Sequence, residues 1–246
     1  MTARSSTGAA KGLWLYGLHA VRAALANPVR KLHRAVLTEH AAAAIGRGLL
    51  GRARYEIATS EAVARLVPQG AVHQGAALSC EPLQGFRLED LLSKAAEGPR
   101  IVVVLDQVSD PHNAGAVLRS AAAFNATAVV VQDRHAPAES GALAKAASGA
   151  LDLVPYVHVV NIARALEWLG KSGFWRLALA GDGEQSLQEA KTSGDVAIVL
   201  GSEGSGIRRL VRESCDTIAF IPMNEQMASL NVSNAAAIAL YELRRP

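Results

Sequence analysis

Three stretches of this 246-residue chain put glycines, amides, a carboxylate, hydroxyls and guanidinium groups directly after a short apolar run: DQVSDPHNAGAVLRS (106–120), LGSEGSGIRRL (200–210) and IPMNEQMASLNVSNAAAIALYE (221–242). The preceding runs IVVVL, DVAIVL and DTIAFI read as strands, and a helical pattern follows each stretch, so all three are strand-to-helix loops. In open α/β sheets such loops border the crevice beyond the strands' carboxyl ends. Glycine there lets backbone approach a ligand, and helix N-termini offer unpaired N–H groups. The three loops are expected to form one site.

Several chemistries do not fit these residues. GSEGSG spaces its glycines as GxxGxG, not as the dinucleotide fingerprint, and no Gly-Lys-Ser/Thr provides a phosphate loop. A hydrolase elbow needs glycine two residues before its serine, but Leu200 precedes Ser202 and Glu203 precedes Ser205 in those places. The seven histidines form no HxxxH or HExxH pair, and His112 in the first loop has the most reason for a site role. No metal is expected. Cys80 and Cys215 stand far apart without a partner motif, which suits buried thiols, a reducing compartment and a cytoplasmic protein.

The elements that must position these loops follow from the apolar pattern. Residues 1–12 are small, polar and aperiodic, as expected of a disordered tail. Residues 1–38 hold no acid, as in organelle leaders, but LWLYGLHAVRAALAN (13–27) already reads as a strand end, a Gly17 turn and an amphipathic helix. A strand at 33–38, a helix over 39–50, a strand near 55–58, a helix over 60–66 capped by Ser60 and a strand at 75–79 complete a small α/β module, 13–80. EPLQGF lies within the linker, 81–87, and a second domain runs from 88 to 246.

That domain alternates strands at 100–106, 127–132, 151–154, 174–180, 195–200 and 216–221 with helices over 88–96, 112–125, 140–148 and 161–171 and one after the third loop; 181–186 reads as a turn. Asp110-Pro111 makes a helix start, with Asp as cap and Pro at the first helical position. The fold class is α/β, with a parallel sheet in the second domain. No apolar run approaches the roughly 18 residues of a membrane span. Charge divides unevenly: residues 1–81 carry 10 Lys/Arg against 4 Asp/Glu, and residues 82–246 carry 15 against 18. A basic front half favours a polyanionic partner, although Arg-rich helices can also be merely solvated.

DPHNAGAVLRSAAAFNATAVVV, LGSEGSGIRRLVRESCDTIAFIPM and SLNVSNAAAIALYE resemble, in order, the three signature blocks of the SpoU (TrmH-type) branch of the SPOUT methyltransferases. The front half, with LYGLHAVRAAL, resembles the small RNA-binding domain of large-subunit ribosomal RNA guanosine 2′-O-methyltransferases of this branch. The resemblance implies methyl transfer from S-adenosylmethionine to an RNA ribose 2′-hydroxyl, a deep trefoil knot, a homodimer and ribosomal RNA as substrate. It leaves a transfer-RNA ribose methyltransferase and a non-catalytic assembly factor as alternatives. By motif position it implies Asn113, Arg119, Glu203, Ser229 and Asn231 as the polar catalytic set. The cofactor contacts, largely backbone, fall on Gly201, Ile221 and Leu230, supported by Ala180, Gly181, Gly204, Met223 and Ser229.

Each of these residues also has a plainer reading. Asn113 can stiffen the start of its helix, Ser229 and Asn231 can cap the last helix, Glu203 can pair with Arg208 or Arg209, and Arg119 can pair with Asp106 or Asp110. The resemblance gives Arg119 the activation of the hydroxyl. Because a neutral arginine side chain at pH 7 costs about 7–9 kcal/mol, a charged clamp on the phosphate and the developing alkoxide is expected instead of a base.

Overall fold

The computed structural model describes residues 12–93, 98–224, 226 and 229–245. In the front domain, β1 (Leu13–Tyr16), β2 (Leu32–Leu37), β3 (Arg54–Ile57) and β4 (Ala76–Cys80) form a sheet in the order β1-β4-β2-β3. Helices α1 (Leu18–Ala26), α2 (Glu39–Ile45), α3 (Arg47–Leu50) and α4 (Ser60–Ala64) connect them. The expected helix over 39–50 is two helices, because Gly46 at φ 89° ends the first. The cap of α4 is Thr59, whose hydroxyl accepts from the Ala62 N–H, and not Ser60, which is already helical.

After α5 (Leu88–Leu92), β5 (Ile101–Asp106), α6 (Pro111–Ala123), β6 (Ala128–Gln132), α7 (Gly141–Ala147), β7 (Tyr156–Val159), α8 (Ile162–Lys171), β8 (Trp175–Leu179), β9 (Gln185–Ser186), β10 (Val196–Gly201), α9 (Arg209–Glu213), β11 (Thr217–Phe220) and α10 (Val232–Arg244) follow. Their strands form one parallel sheet in the order β7-β6-β5-β10-β8-β11-β9. The runs IVVVLD and VAIVL are buried along nearly their whole length, as strands covered on both faces require.

Three expectations for this domain need correcting or bounding. The predicted strand at 151–154 is a single 3-10 turn, Ala150–Asp152, and the strand starts beyond Pro155. Asp152 accepts hydrogen bonds from Asn27 and Arg30 of the front domain, which holds that segment as a turn. The expected turn at 181–186 contains the short edge strand β9, paired with β11. The predicted helix over 88–96 is helical to Leu92, and 94–97 lie outside the described residues, as do 1–11 of the expected tail.

The two sheets share one core: Leu15, Leu25 and Leu78 belong to the same buried cluster as Leu105, Leu118 and Leu143. Helix α7 packs against β1. Arg30, with a side chain 0% exposed, donates to Asp152 at 2.6 Å and to Glu139 at 2.5 Å, and also to the Glu81 carbonyl at 3.2 Å. Glu139 also accepts from the Leu83 N–H at 2.8 Å, so one buried guanidinium ties both domains to the segment between them. Burial pushes the thiol of Cys80 up to about 11 and that of Cys215 up to about 12, so both sulfurs are protonated at neutral pH.

Candidate active site

Strands β5, β10, β8 and β11 lie side by side and parallel, so their carboxyl ends share one edge. Asp106 closes β5 level with Gly201 of β10 and is fully buried. A buried carboxylate needs partners. It takes them from the second loop: the Arg208 N–H at 2.9 Å, its Nε at 2.8 Å and its Nη2 at 2.6 Å. This folds 202–208 back over the strand end so closely that a Cβ on Gly201 would overlap the Gly206 carbonyl, which restricts position 201 to glycine. Ser202 pairs with Gly206, and the hydroxyls of Ser202 and Ser205 lie 2.6 Å apart.

The turn presents Glu203 to the two other loops. Asn113 donates from Nδ2 to Glu203 Oε1 at 3.0 Å; Asn231 donates to the same oxygen at 2.6 Å and to Asn113 Oδ1 at 2.9 Å. Asn113 is the third residue of α6, whose N-cap Asp110 accepts from the His112 N–H with Pro111 in first position, as the sequence predicts. Asn231 is the N-cap of α10, its Oδ1 accepting from the Ser233 N–H at 2.9 Å and the Ser233 hydroxyl at 2.6 Å. Two helix N-termini therefore converge on one carboxylate, and both dipoles favour its negative charge.

Capping and clustering coincide at Asn231, whereas Ser229 is exposed two residues upstream and is not the cap. Glu203 pairs with neither arginine considered for it, since Arg208 holds Asp106 and Arg209 pairs with Glu213 at 2.6 Å. Arg119 is exposed, and among the described residues it makes no hydrogen bond or ion pair. The plainer alternative, pairing with Asp106 or Asp110, does not occur, because Arg208 occupies the first and the His112 N–H takes the second. At about 100° per residue, Arg119 points roughly 120° around α6 from Asn113, away from the Glu203 cluster of its own chain.

The cofactor candidates mostly gather at the same edge. The register pairs Leu200 with Leu179 and Leu179 with Ala219, which brings Ala180, Gly201 and Ile221 to adjoining strand ends. The 180–184 turn is tied across β11 by Ala180 N–H to Ala219 O, 3.0 Å, and Glu184 N–H to Ile218 O, 3.2 Å. Gly181 follows on this turn, and Met223, Ser229 and Leu230 lie on the third loop. Gly204, at φ 89°, sits beside Glu203. All eight are uncharged. Backbone edges and small or aliphatic groups suit an adenosine carrying a cationic sulfur, because no lysine or arginine among them would repel it.

Two supports were not legible in the sequence. The Asp106–Arg208 clasp joins residues 102 apart, and Arg212 braces the 181–184 turn through Asp182 at 2.8 and 2.9 Å. The NVS spacing at 231–233 does carry the signal of an Asx cap, and Ser233 could have been found from it.

Residues 100–241 match the sequence model of the SpoU rRNA Methylase family, and residues 14–86 match that for RNA 2′-O ribose methyltransferase substrate binding. The chain belongs to the SpoU rRNA methylase family. It is 37% identical over 244 residues to the 23S rRNA (guanosine-2′-O-)-methyltransferase RlmB of Coxiella burnetii, covering 94% of each chain. With the protein of the same name from Xylella fastidiosa it shares 40% over 244 residues, 96% of this chain and 97% of that one. Its fold matches the SpoU methyltransferase AviRb from Streptomyces viridochromogenes, solved with AdoMet, at a TM-score of 0.79 and 19% identity over 99% of this chain and 93% of that one. The SpoU match spans all three loops, and thus the whole Asn113–Glu203–Asn231 cluster.

Proposed function

We propose that this SpoU-family chain transfers a methyl group from S-adenosylmethionine to the ribose 2′-oxygen of a guanosine in 23S ribosomal RNA. The observation that carries the reading is the joining of three loops through Asn113, Glu203 and Asn231 beside an uncharged crevice at three strand ends, in a chain that aligns along nearly its full length with RlmB proteins. S-adenosylmethionine, when bound, supplies an electrophilic methyl on a sulfonium. The backbone at Gly201, Ile221 and Leu230, with Ala180, Gly181, Gly204, Met223 and Ser229, holds that group. Asn113 and Asn231 orient the ribose, and Glu203 fixes both amides. Arg119, charged, clamps the neighbouring phosphate and stabilises the developing alkoxide, while the proton leaves to water or a phosphate oxygen.

The chain works as a homodimer through the outer face of α6 and α10. These helices begin together at Asn113 and Asn231 and end together where Arg244 donates to the carbonyls of Phe124 and Asn125. On that face Ile238 is 41% and Tyr241 57% exposed. A two-fold pairing there would also bring Arg119, which has no partner among the described residues, toward the partner's cluster. Replacing Ile238 and Tyr241 together by Asp should yield a monomer at micromolar concentration in sedimentation, with methyl transfer lost; a monomeric wild type refutes the pairing. We read the chain threading as the trefoil knot, since β10 lies between β5 and β8 and the segment after β11 returns to α6. The site of action is the cytoplasm, where ribosomal RNA is made.

Mass mapping of ribose methylation in 23S and transfer RNA, from cells with and without the gene, tests the assignment. One 23S guanosine should lose its methyl group. An unchanged 23S pattern overturns the substrate, and purified protein that takes up no S-adenosylmethionine in calorimetry overturns the reaction.

A further inference from the structure

Several arginines of both domains are committed to the fold. In the methyltransferase domain Arg100, Arg176, Arg208 and Arg212 each hold an aspartate. In the front domain Arg30 and Arg52 hold the fold, Arg30 through its buried carboxylates and Arg52 through the carbonyls of Leu25 and Asn27. Arg34 and Arg54, both exposed, have no carboxylate partner among the described residues. The sheet register places them together. Trp14 on β1 pairs with Ser79 on β4, Ser79 with Arg34 on β2, and Arg34 with Arg54 on β3. Paired residues project to the same face. Thus Trp14, Ser79, Arg34 and Arg54 form one row across the sheet, on the face opposite Leu15, Ala35 and Leu78 of the main core.

Helix α4 covers the next row through Val63, packed with Val36 and Ala77; Trp14 leans on that cluster and is half-buried, while Arg34 and Arg54 lie exposed beyond it. Ser79 is small enough for the Arg34 guanidinium to reach over it and lie 5.4 Å from the Trp14 ring centroid. His33, at the register shift between Leu32 and Arg34, adds an exposed imidazole beside the row. Of the acids nearby, Glu56 stands two residues along β3 beside Val36, and Glu81, two residues beyond Ser79, pairs with Lys31 at 3.2 Å.

We propose that this row is a contact surface for the RNA substrate, with Arg34 and Arg54 on consecutive phosphates and the Trp14 ring stacking an unpaired base or the Arg34 plane against one. The inference rests on the reading of the chain as an RNA methyltransferase and adds the surface by which its front domain grips RNA. Two guanidinium groups with no carboxylate partner among the described residues, one of them over an aromatic ring, match a polyanion with stacking faces.

The test is filter binding of a 23S rRNA fragment across salt by the full chain, the Arg34→Ala/Arg54→Ala double variant and Trp14→Leu. The double variant should bind about 20-fold more weakly near 0.15 M salt and shift the slope of log affinity against log salt by about 1.5, the share of two phosphates. Trp14→Leu should lose about fivefold or more with an unchanged slope. Thermal midpoints and S-adenosylmethionine binding near those of the wild type show that the variants are folded. A double variant with wild-type affinity and slope overturns the row while leaving the methyltransferase reading intact; a wild type with no salt-dependent RNA binding overturns both.

Discussion

Arg119→Ala is expected to lower methyl transfer by about 10²–10³-fold, the cost of removing a charged stabiliser of a developing oxyanion. S-adenosylmethionine affinity should stay unchanged, because Arg119 lies outside the crevice formed by Ala180, Gly201 and Ile221. Its position on α6 sharpens the expectation. Since the side chain points away from the Asn113–Glu203–Asn231 cluster of its own chain, the proposed dimer makes each site composite. Mixing Arg119→Ala with Asn231→Ala, each inactive alone, then creates heterodimers in which one site carries both changes and the other none. Activity should return to about a quarter of wild type in a statistical mixture of two-fold dimers. An arginine acting within its own chain restores nothing. Arg119→Lys separates clamp from base: near-normal turnover with a basic limb at a lysine-like pH would favour base catalysis, whereas a strongly reduced rate with an unmoved limb supports the fixed fork.

The cluster has a reason to be built as it is. Glu203 sits on a turn with glycines at φ 89° and 66°, an intrinsically loose element. Asp106 and Arg208 anchor one end of that turn, and the amides of Asn113 and Asn231 anchor its tip. Asn231 caps α10 through Oδ1 and reaches Glu203 through Nδ2, so one side chain ties the start of the last helix to the second loop.

What could be read beforehand follows from how local each signal is. The runs IVVVL and VAIVL declare parallel strands because burial on both faces leaves no polar alternation, and Asp110-Pro111 declares a helix start through local geometry alone. The three loops come together as expected because parallel strands deliver their carboxyl ends to one edge. The direction of Arg119 was not legible: α6 buries Ala114, Val117, Leu118 and Ala121 and turns Arg119 to the outer face, which only the packed helix decides. Partner choice among charges was not legible either. Arg30 and Asp152 are 122 residues apart and Arg208 and Asp106 are 102 apart, separations over which only the assembled fold specifies a pair. The two-residue strand Gln185–Ser186 has too little pattern to register.

Arg30→Met is expected to lower stability by about 3–5 kcal/mol, because it leaves Asp152 and Glu139 charged at a buried joint without their common partner. For a chain of this size that corresponds to roughly 6–20 °C in thermal midpoint. Desolvation alone would lower the proton affinity of the guanidinium, but the bonds and charges of Asp152 and Glu139 outweigh it and raise the pKa, which marks the network as mutually compensating. The consequence is a reversal of the usual order of mutational harm. Adding Asp152→Asn and Glu139→Gln to Arg30→Met removes the stranded charges, and the triple variant should recover part of what the single one lost, since amides still accept from Asn27 and the Leu83 N–H. Arg30→Lys keeps the charge but cannot span two carboxylates and the Glu81 carbonyl from one planar fork, so it should fall between wild type and Met. Differential scanning calorimetry on the four proteins decides the matter. A single variant within about 1 kcal/mol of wild type, or a triple variant worse than the single, would mean that the joint is held by the shared apolar core of Leu15, Leu78 and Leu143 and that the ions merely tolerate burial there.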